Sequence, residues 1–126
     1  MSAIDKEYVS KESKKMNASD LDRALSSEGK IRDRSKRWEK YREQIKLLFE
    51  MLRDYKKGNY EETPWRTVAG ITFALLYILN PLDLVPDFIP FLGVLDDFTV
   101  FTVTLNLIGK DFDNYKAWRK GEKLEN

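Results

Sequence analysis

Ile31, Trp38, Tyr41, Ile45, Leu48, Leu52 and Tyr55 follow one another at steps of 7, 3, 4, 3, 4 and 3. These steps place them on one face of an α-helix, with Phe49 and Met51 widening the stripe and charged residues opposite. The pattern predicts an amphipathic helix over about 31–57, closed by Gly58 as its C-terminal cap. Upstream, residues 1–17 carry sparse apolar positions (Ile4, Tyr8, Val9, Met16) among many charges, which predicts a marginal, fraying helix. Ser19 ahead of Asp20 and Asp22 predicts a second start, a hydroxyl cap followed by acids in the first turn. Leu21 and Leu25 then face inward, and Gly29 interrupts.

Thr63-Pro64 is another start signal, with Thr as the cap and Pro at the first helical position, where its missing N–H costs nothing. The following WRTVAGITFALLYIL is apolar nearly all round, so this helix is predicted to be buried on most sides. It must stop by Leu79, because Pro81 drives Asn80 away from helical geometry. Beyond residue 96 two patterns compete. The alternation TVTLNL suits a strand, whereas Phe98, Phe101, Leu105, Ile108 and Phe112 at steps of 3, 4, 3 and 4 suit a helix. Helix is the reading, since a lone strand has no partner for its backbone groups. Tyr115 and Trp118 extend that helix or form a short one of their own.

The predicted fold class is therefore all-α. It is a small bundle of four to five helices in which a Pro-rich apolar helical hairpin, about 64–109, packs on the amphipathic helix 31–57. Residues 1–18 are read as a marginally ordered N-terminal segment, 19–120 as a single helical domain and 121–126 as a tail. A length of 126 residues suits one hydrophobic core, and 42% apolar with 34% charged residues is a globular composition.

Composition removes much chemistry. There is no cysteine, hence no disulfide, thiolate metal site or thiol nucleophile. There is no histidine, which excludes the commonest general base and every Ser-His or Cys-His pair. Net charge is +1, so no overall field favours nucleic acid, which is disfavoured as a partner. The charge is nevertheless uneven. Residues 1–63 hold 16 Lys/Arg against 13 Asp/Glu, and residues 64–126 hold 6 against 8. MSAIDKEYVSKESKKMN lacks the apolar core of a signal peptide, and no uninterrupted apolar run reaches 18 residues. The expected location is cytoplasmic, with a place at the membrane periphery as the alternative.

Three features invite a functional reading. The first is NPLDLVPDFIPFLGVLDD, residues 80–97, which sets Asp83, Asp87, Asp96 and Asp97 within an apolar stretch. Clustered carboxylates suit a hard divalent cation, or an acid/base pair in a hydrolase. Capping explains the same residues with less. Asn80-Pro81-Leu82-Asp83 has the spacing of a capping box, Asp87 follows Pro86 as a turn cap, and Asp96 and Asp97 open the last long helix. Phe88, Ile89, Phe91 and Leu92 in that link form a candidate interaction surface, for a protein partner or for self-association. The second is the basic helix KIRDRSKRWEKYR, residues 30–42, with seven Lys/Arg against two acids. It is a solvated face or a contact for an anionic membrane surface. Trp38 and Tyr41 lie on its apolar face and are read as core or interface residues. The third is the apolar hairpin. Each helix of about 15 residues falls short of the roughly 20 needed to span, which leaves a re-entrant insertion as the membrane alternative, and a covered hairpin is favoured because helix 31–57 supplies an apolar stripe to cover it.

YILNPLDLVPDFIPFLGVLDD resembles the signature of the YkvA-like family, domain of unknown function 1232. Asn80, Pro81, Asp83, Pro86, Asp87, Pro90, Gly93, Asp96 and Asp97 occupy its positions without a gap, over about 65–105. Asn80 stands where Ser is commoner and keeps the capping role. The resemblance implies a small helical domain, found mainly in bacterial proteins, with no established activity, and carried in some relatives beside membrane-spanning segments. It assigns no reaction to the aspartates and implies no cofactor. The function expected is a non-catalytic interaction or structural module. The alternatives are a membrane-associated protein that inserts or docks the 64–109 hairpin, and a divalent-cation-binding protein or hydrolase using the Asp cluster.

Overall fold

The computed structural model describes residues 3–80 and 96–125. Six α-helices lie among them: α1 (Ala3–Ser13), α2 (Ala18–Ser26), α3 (Glu28–Arg34), α4 (Arg42–Lys57), α5 (Trp65–Leu79) and α6 (Asp97–Glu125). A 3-10 helix, Glu39–Tyr41, leads directly into α4. No strand occurs among the described residues, so the all-α class is borne out, and the 96–112 stretch is helix.

The apolar composition of α5 decides the arrangement. Every residue from Thr67 to Ile78 is buried, because helices cover it on several sides: α6, α1, α2 and α3 all pack on it. One set of its side chains (Val68, Ile71, Leu75, Ile78) joins Ile45, Leu48, Phe49, Met51 and Leu52 of α4 and Phe101, Ile108 and Phe112 of α6. The other set (Phe73, Ala74, Leu76, Tyr77) packs with Val9 of α1, Ala24 of α2 and Val100 and Val103 of α6. Thus α5 is the inner layer, and its apolar character is accounted for by burial in protein.

Helices α5 and α6 run antiparallel. Near the start of α5 the Thr67 hydroxyl donates to Asp111 at 2.5 Å, and Gly70 faces Ile108. Near its end, Tyr77 senses the charges of Asp96 and Asp97. This is the predicted hairpin, and it packs on α4 through the shared core. α6 continues without a break through Gly109 to Glu125, so Tyr115 and Trp118 extend it. The far end is fastened by the Tyr115 hydroxyl, which donates to Asp54 at 2.6 Å, and by Arg119 on Glu50 at 2.7 Å.

Four local expectations need correction. The helix expected over 31–57 is divided into α3, the 3-10 helix and α4. Its break falls where the stripe skips a turn, between Ile31 and Trp38. Ser35 occupies that gap, is buried, and its hydroxyl donates to the Ile31 carbonyl at 3.0 Å and the Arg32 carbonyl at 3.2 Å, competing with helix continuation. The cap of α2 is Asn17 rather than Ser19. Asn17 accepts from the Asp20 N–H at 3.0 Å while Asp20 accepts from the Asn17 N–H at 2.9 Å. Gly29 lies inside α3 and interrupts nothing. Pro64, in extended conformation, precedes α5, and its carbonyl accepts from Thr67 and Val68, so the start falls one residue later than Thr63-Pro64 implied. Gly58 closes α4 as expected, at the left-handed φ of 81° that glycine adopts without strain. The sparse apolar positions at the front form α1, where Val9 is buried against the second core.

Candidate functional site

The basic run 30–42 and the first turn of α6 meet at one corner of the bundle. The run is not one basic helix. It passes from the end of α3 through a turn and the 3-10 helix into α4. That turn carries Trp38 inward, to 8% exposure, against the start of α6. The Trp38 ring lies 5.2 Å from Phe98 and 5.5 Å from Phe101, and Tyr41 lies 5.7 Å and 5.5 Å from the same two rings. Such separations and tilts are those at which aromatic pairs attract. The expectation that Trp38 and Tyr41 serve as core or interface residues is met at this corner. Phe98 leaves the cluster 40% exposed, one of few large apolar side chains in that condition among the described residues.

Two cations lie over the rings of this cluster. Arg37 lies over the Trp38 ring at 5.1 Å and Lys40 over the Tyr41 ring at 5.9 Å. All seven Lys/Arg of 30–42 are exposed. Arg32 pairs with Glu28, Lys36 with Asp33, Arg37 with Asp97 and Arg42 with Glu39. Lys30, Arg34 and Lys40 pair with no carboxylate among the described residues.

Of the four candidate acids, two fall within the described residues, and each has structural work. Asp96 caps α6: its carboxylate accepts from the Thr99 N–H at 2.7 Å and the Thr99 hydroxyl at 3.0 Å. Asp97, in the first turn, accepts from Arg37 at 2.8 Å. The expectation that these two open the last long helix holds. Asp83 and Asp87 lie outside the described residues, as do Pro81, Pro86, Pro90 and Gly93 and the apolar candidates Phe88, Ile89, Phe91 and Leu92. Asn80 is the C-terminal cap of α5, extended at φ −162°, with its N–H on the Leu76 carbonyl at 2.9 Å. No group of three or more acidic side chains among the described residues is placed to hold a metal ion. An Asn-x-x-Asp box like that proposed for Asn80 and Asp83 does form at Asn17 and Asp20, with Asp in the position usually held by Glu.

Beneath the corner, Tyr77 is buried, and its hydroxyl is hydrogen-bonded to that of Tyr8 on α1. Burial pushes the Tyr77 hydroxyl well above its ordinary range, and the Tyr8 hydroxyl and the Asp96 and Asp97 charges add to this. Tyr8 is raised too, by burial and by Glu12. Both phenols are therefore neutral, which suits joining α1 to α5 and offers no nucleophile. The Arg37–Asp97 pair and the Tyr8–Tyr77 contact left no trace in sequence spacing, because each joins elements far apart in the chain.

The family described as "Protein of unknown function (DUF1232)" matches residues 67–103, which run from the start of α5 into α6. The chain is also 41% identical over 75 residues to a Bacillus subtilis (strain 168) protein named "Uncharacterized membrane protein YkvA". That alignment spans 60% of this chain and 71% of the relative. No solved structure matches. The matched segment contains the inner helix and the acid-opened start of its partner, and on this likeness the chain belongs to the YkvA-like family of proteins of unknown function, DUF1232.

Proposed function

We propose that this chain is a non-catalytic helical module that docks at the periphery of an anionic membrane through the corner built by Trp38, Tyr41 and Phe98. The observation that carries the reading is the exposed Phe98 packed beside Tyr41, whose ring lies under Lys40, a cation that pairs with no carboxylate among the described residues. Apolar side chains that enter the interface, backed by cations that attract anionic headgroups, are what surface binding requires. The 41% identical relative is named a membrane protein, yet no helix among the described residues is long and apolar enough to cross a membrane. Peripheral docking reconciles those two facts. It leaves α5 inside the protein, where its apolar surface is already covered.

Flotation with phospholipid vesicles tests the proposal. The protein rises with vesicles containing phosphatidylserine or phosphatidylglycerol, remains behind with phosphatidylcholine alone, and is released as salt shortens the screening length. At about 1 kcal/mol per basic residue near the surface, K30Q/R34Q/K40Q lowers vesicle affinity by about two orders of magnitude. Wild-type protein left entirely in the soluble fraction with anionic vesicles at low salt refutes the reading.

A further inference from the structure

Arg32 and Arg42 stand on different helices yet line one cleft of about 370 Å³, between α3, the turn that follows it and the start of α4. On the unbroken helix that the apolar stripe implies, ten residues would set them about 15 Å apart along the axis. The break at Ser35 lets α4 pack on α3, and both arginines border the same hollow. Lys36, from the turn itself, lines it as well. The volume is within the roughly 300–1,000 Å³ of small-molecule sites.

Three cations face one acid in this lining. The acid, Asp33, is 70% exposed and paired with Lys36 at 3.0 Å, so the two arginines set the character of the cleft. Neither is used up by its carboxylate partner. Arg32 gives one nitrogen to Glu28 at 3.2 Å, and the other oxygen of Glu28 is taken by Arg53. Arg42 lies 3.7 Å from Glu39, too far for a hydrogen bond, and its guanidinium donates to no other acceptor among the described residues. Glu28 and Glu39 both stand outside the lining. Two planar forks with most of their N–H groups free therefore border a hollow that carries two positive charges in excess. Both side chains are open to solvent, at 43% and 65% exposure, so a ligand reaches them without rearrangement. Gly29 adds no side chain to the wall, and a Cβ there would meet nothing within 4 Å, which leaves the backbone of α3 open to close approach.

We infer that this cleft binds a phosphate monoester, with Arg32 and Arg42 donating to its oxygens and Lys36 adding charge. The guanidinium fork matches the spacing of phosphate oxygens, and a monoester near its full double charge matches the excess of two. A diester brings one charge and two free oxygens, and is held less well. Asp33 opposes any anion here and sets a ceiling on affinity. The site is separate from the aromatic corner, since none of Lys30, Arg34 and Lys40 lines it, and it stands whether or not that corner docks on a membrane. A soluble phosphate ester and the headgroup of phosphatidic acid offer the same chemistry.

Titration of the isotope-labelled full chain with glycerol 3-phosphate, followed by NMR in 0.15 M salt, tests this. The expected result is saturable one-site shifts at the Gly29 amide and at the side-chain N–H groups of Arg32 and Arg42, with dimethyl phosphate several-fold weaker. R32Q/R42Q weakens binding about tenfold or more. R34Q/K40Q, which removes equal charge from outside the lining, leaves it within about twofold. D33N tightens it. All five side chains are exposed, and resonances elsewhere in the spectrum report that each variant stays folded. Flotation with phosphatidic acid against phosphatidylglycerol vesicles, matched in total charge, identifies the source. A preference for phosphatidic acid that R32Q/R42Q abolishes assigns the lipid headgroup, whereas equal flotation beside intact glycerol 3-phosphate binding assigns a soluble ester. The inference is overturned by absence of saturation, by dimethyl phosphate binding as tightly, by equal weakening in the two double variants, or by weaker binding in D33N.

Discussion

Arg37 and Asp97, sixty residues apart in sequence, meet at 2.8 Å and join the basic turn to the first turn of α6. Both ends of this pair touch solvent, with the Arg37 side chain 60% exposed. An ion pair so placed contributes at most about 1 kcal/mol. The neighbouring ring holds the corner more strongly, since Trp38 is buried against Phe98 and Phe101. R37A is expected to lower stability by about 1 kcal/mol or less in urea unfolding, and W38A by about 3–5 kcal/mol. A larger effect from R37A than from W38A contradicts this ranking.

The Asn17–Asp20 box gives a second quantity to measure. Each side chain satisfies a backbone N–H at the start of α2. N17A is expected to cost about 1 kcal/mol. Because the two residues act as a unit, D20A added to N17A should cost less than the sum of the single changes. Thermal unfolding of the two single variants and the double variant reads this coupling directly, and strict additivity would speak against it.

Alkaline pH separates the buried phenols from the rest of the surface. Burial raises Tyr115 above its ordinary value of 10.0, the bond and charge of Asp54 add to this, and Arg119 opposes it. Tyr77 is raised by burial first, and then by Tyr8 and the acids of α6. A raised folded-state value means that the native protein holds these protons where the unfolded chain releases them. The associated stability is fully present below about pH 10 and is lost as pH climbs past it. Melting temperature should therefore fall between pH 10 and 11.5, and the fall should be shallower in Y77F/Y115F. Y115F alone, which removes the bond to Asp54, is expected to cost about 1 kcal/mol at neutral pH. Parallel pH profiles for wild type and Y77F/Y115F would show that these hydroxyls are not the titrating groups.

Much of the architecture was legible because it depends on local spacing. The charge-free run of α5 predicted burial, the 3-4 steps of α6 predicted helix over strand, and Gly58 marked the end of α4. Acids placed before an apolar periodicity were read as caps, and Asp96 is one. The break at Ser35 was visible in principle, since the step of seven from Ile31 to Trp38 leaves one turn without an apolar residue. What spacing could not convey were relationships between distant elements. The pairing of Arg37 with Asp97, the docking of Trp38 on Phe101 and the meeting of Arg32 and Arg42 around one cleft each require the fold first. The cap of α2 was missed for a local reason. Asn17 and Ser19 are both good caps, and the reciprocal bond from Asp20 selects Asn17.

The enclosed position of α5 also governs the order in which the chain becomes safe from aggregation. Its covering comes from α1, α2 and α3, made before it, and from α6, made after it. As synthesis proceeds from the N-terminus, the earlier helices emerge first and offer α5 a partial cradle. The contact that completes the cover joins Thr67 to Asp111, 44 residues further on. Until that length has emerged, a helix with Arg66 as its single charge keeps one flank uncovered. A ribosome that stalls between the two helices thus presents an apolar flank that the finished protein covers, and chaperone binding to such arrested chains should rise at that length and fall once α6 is released.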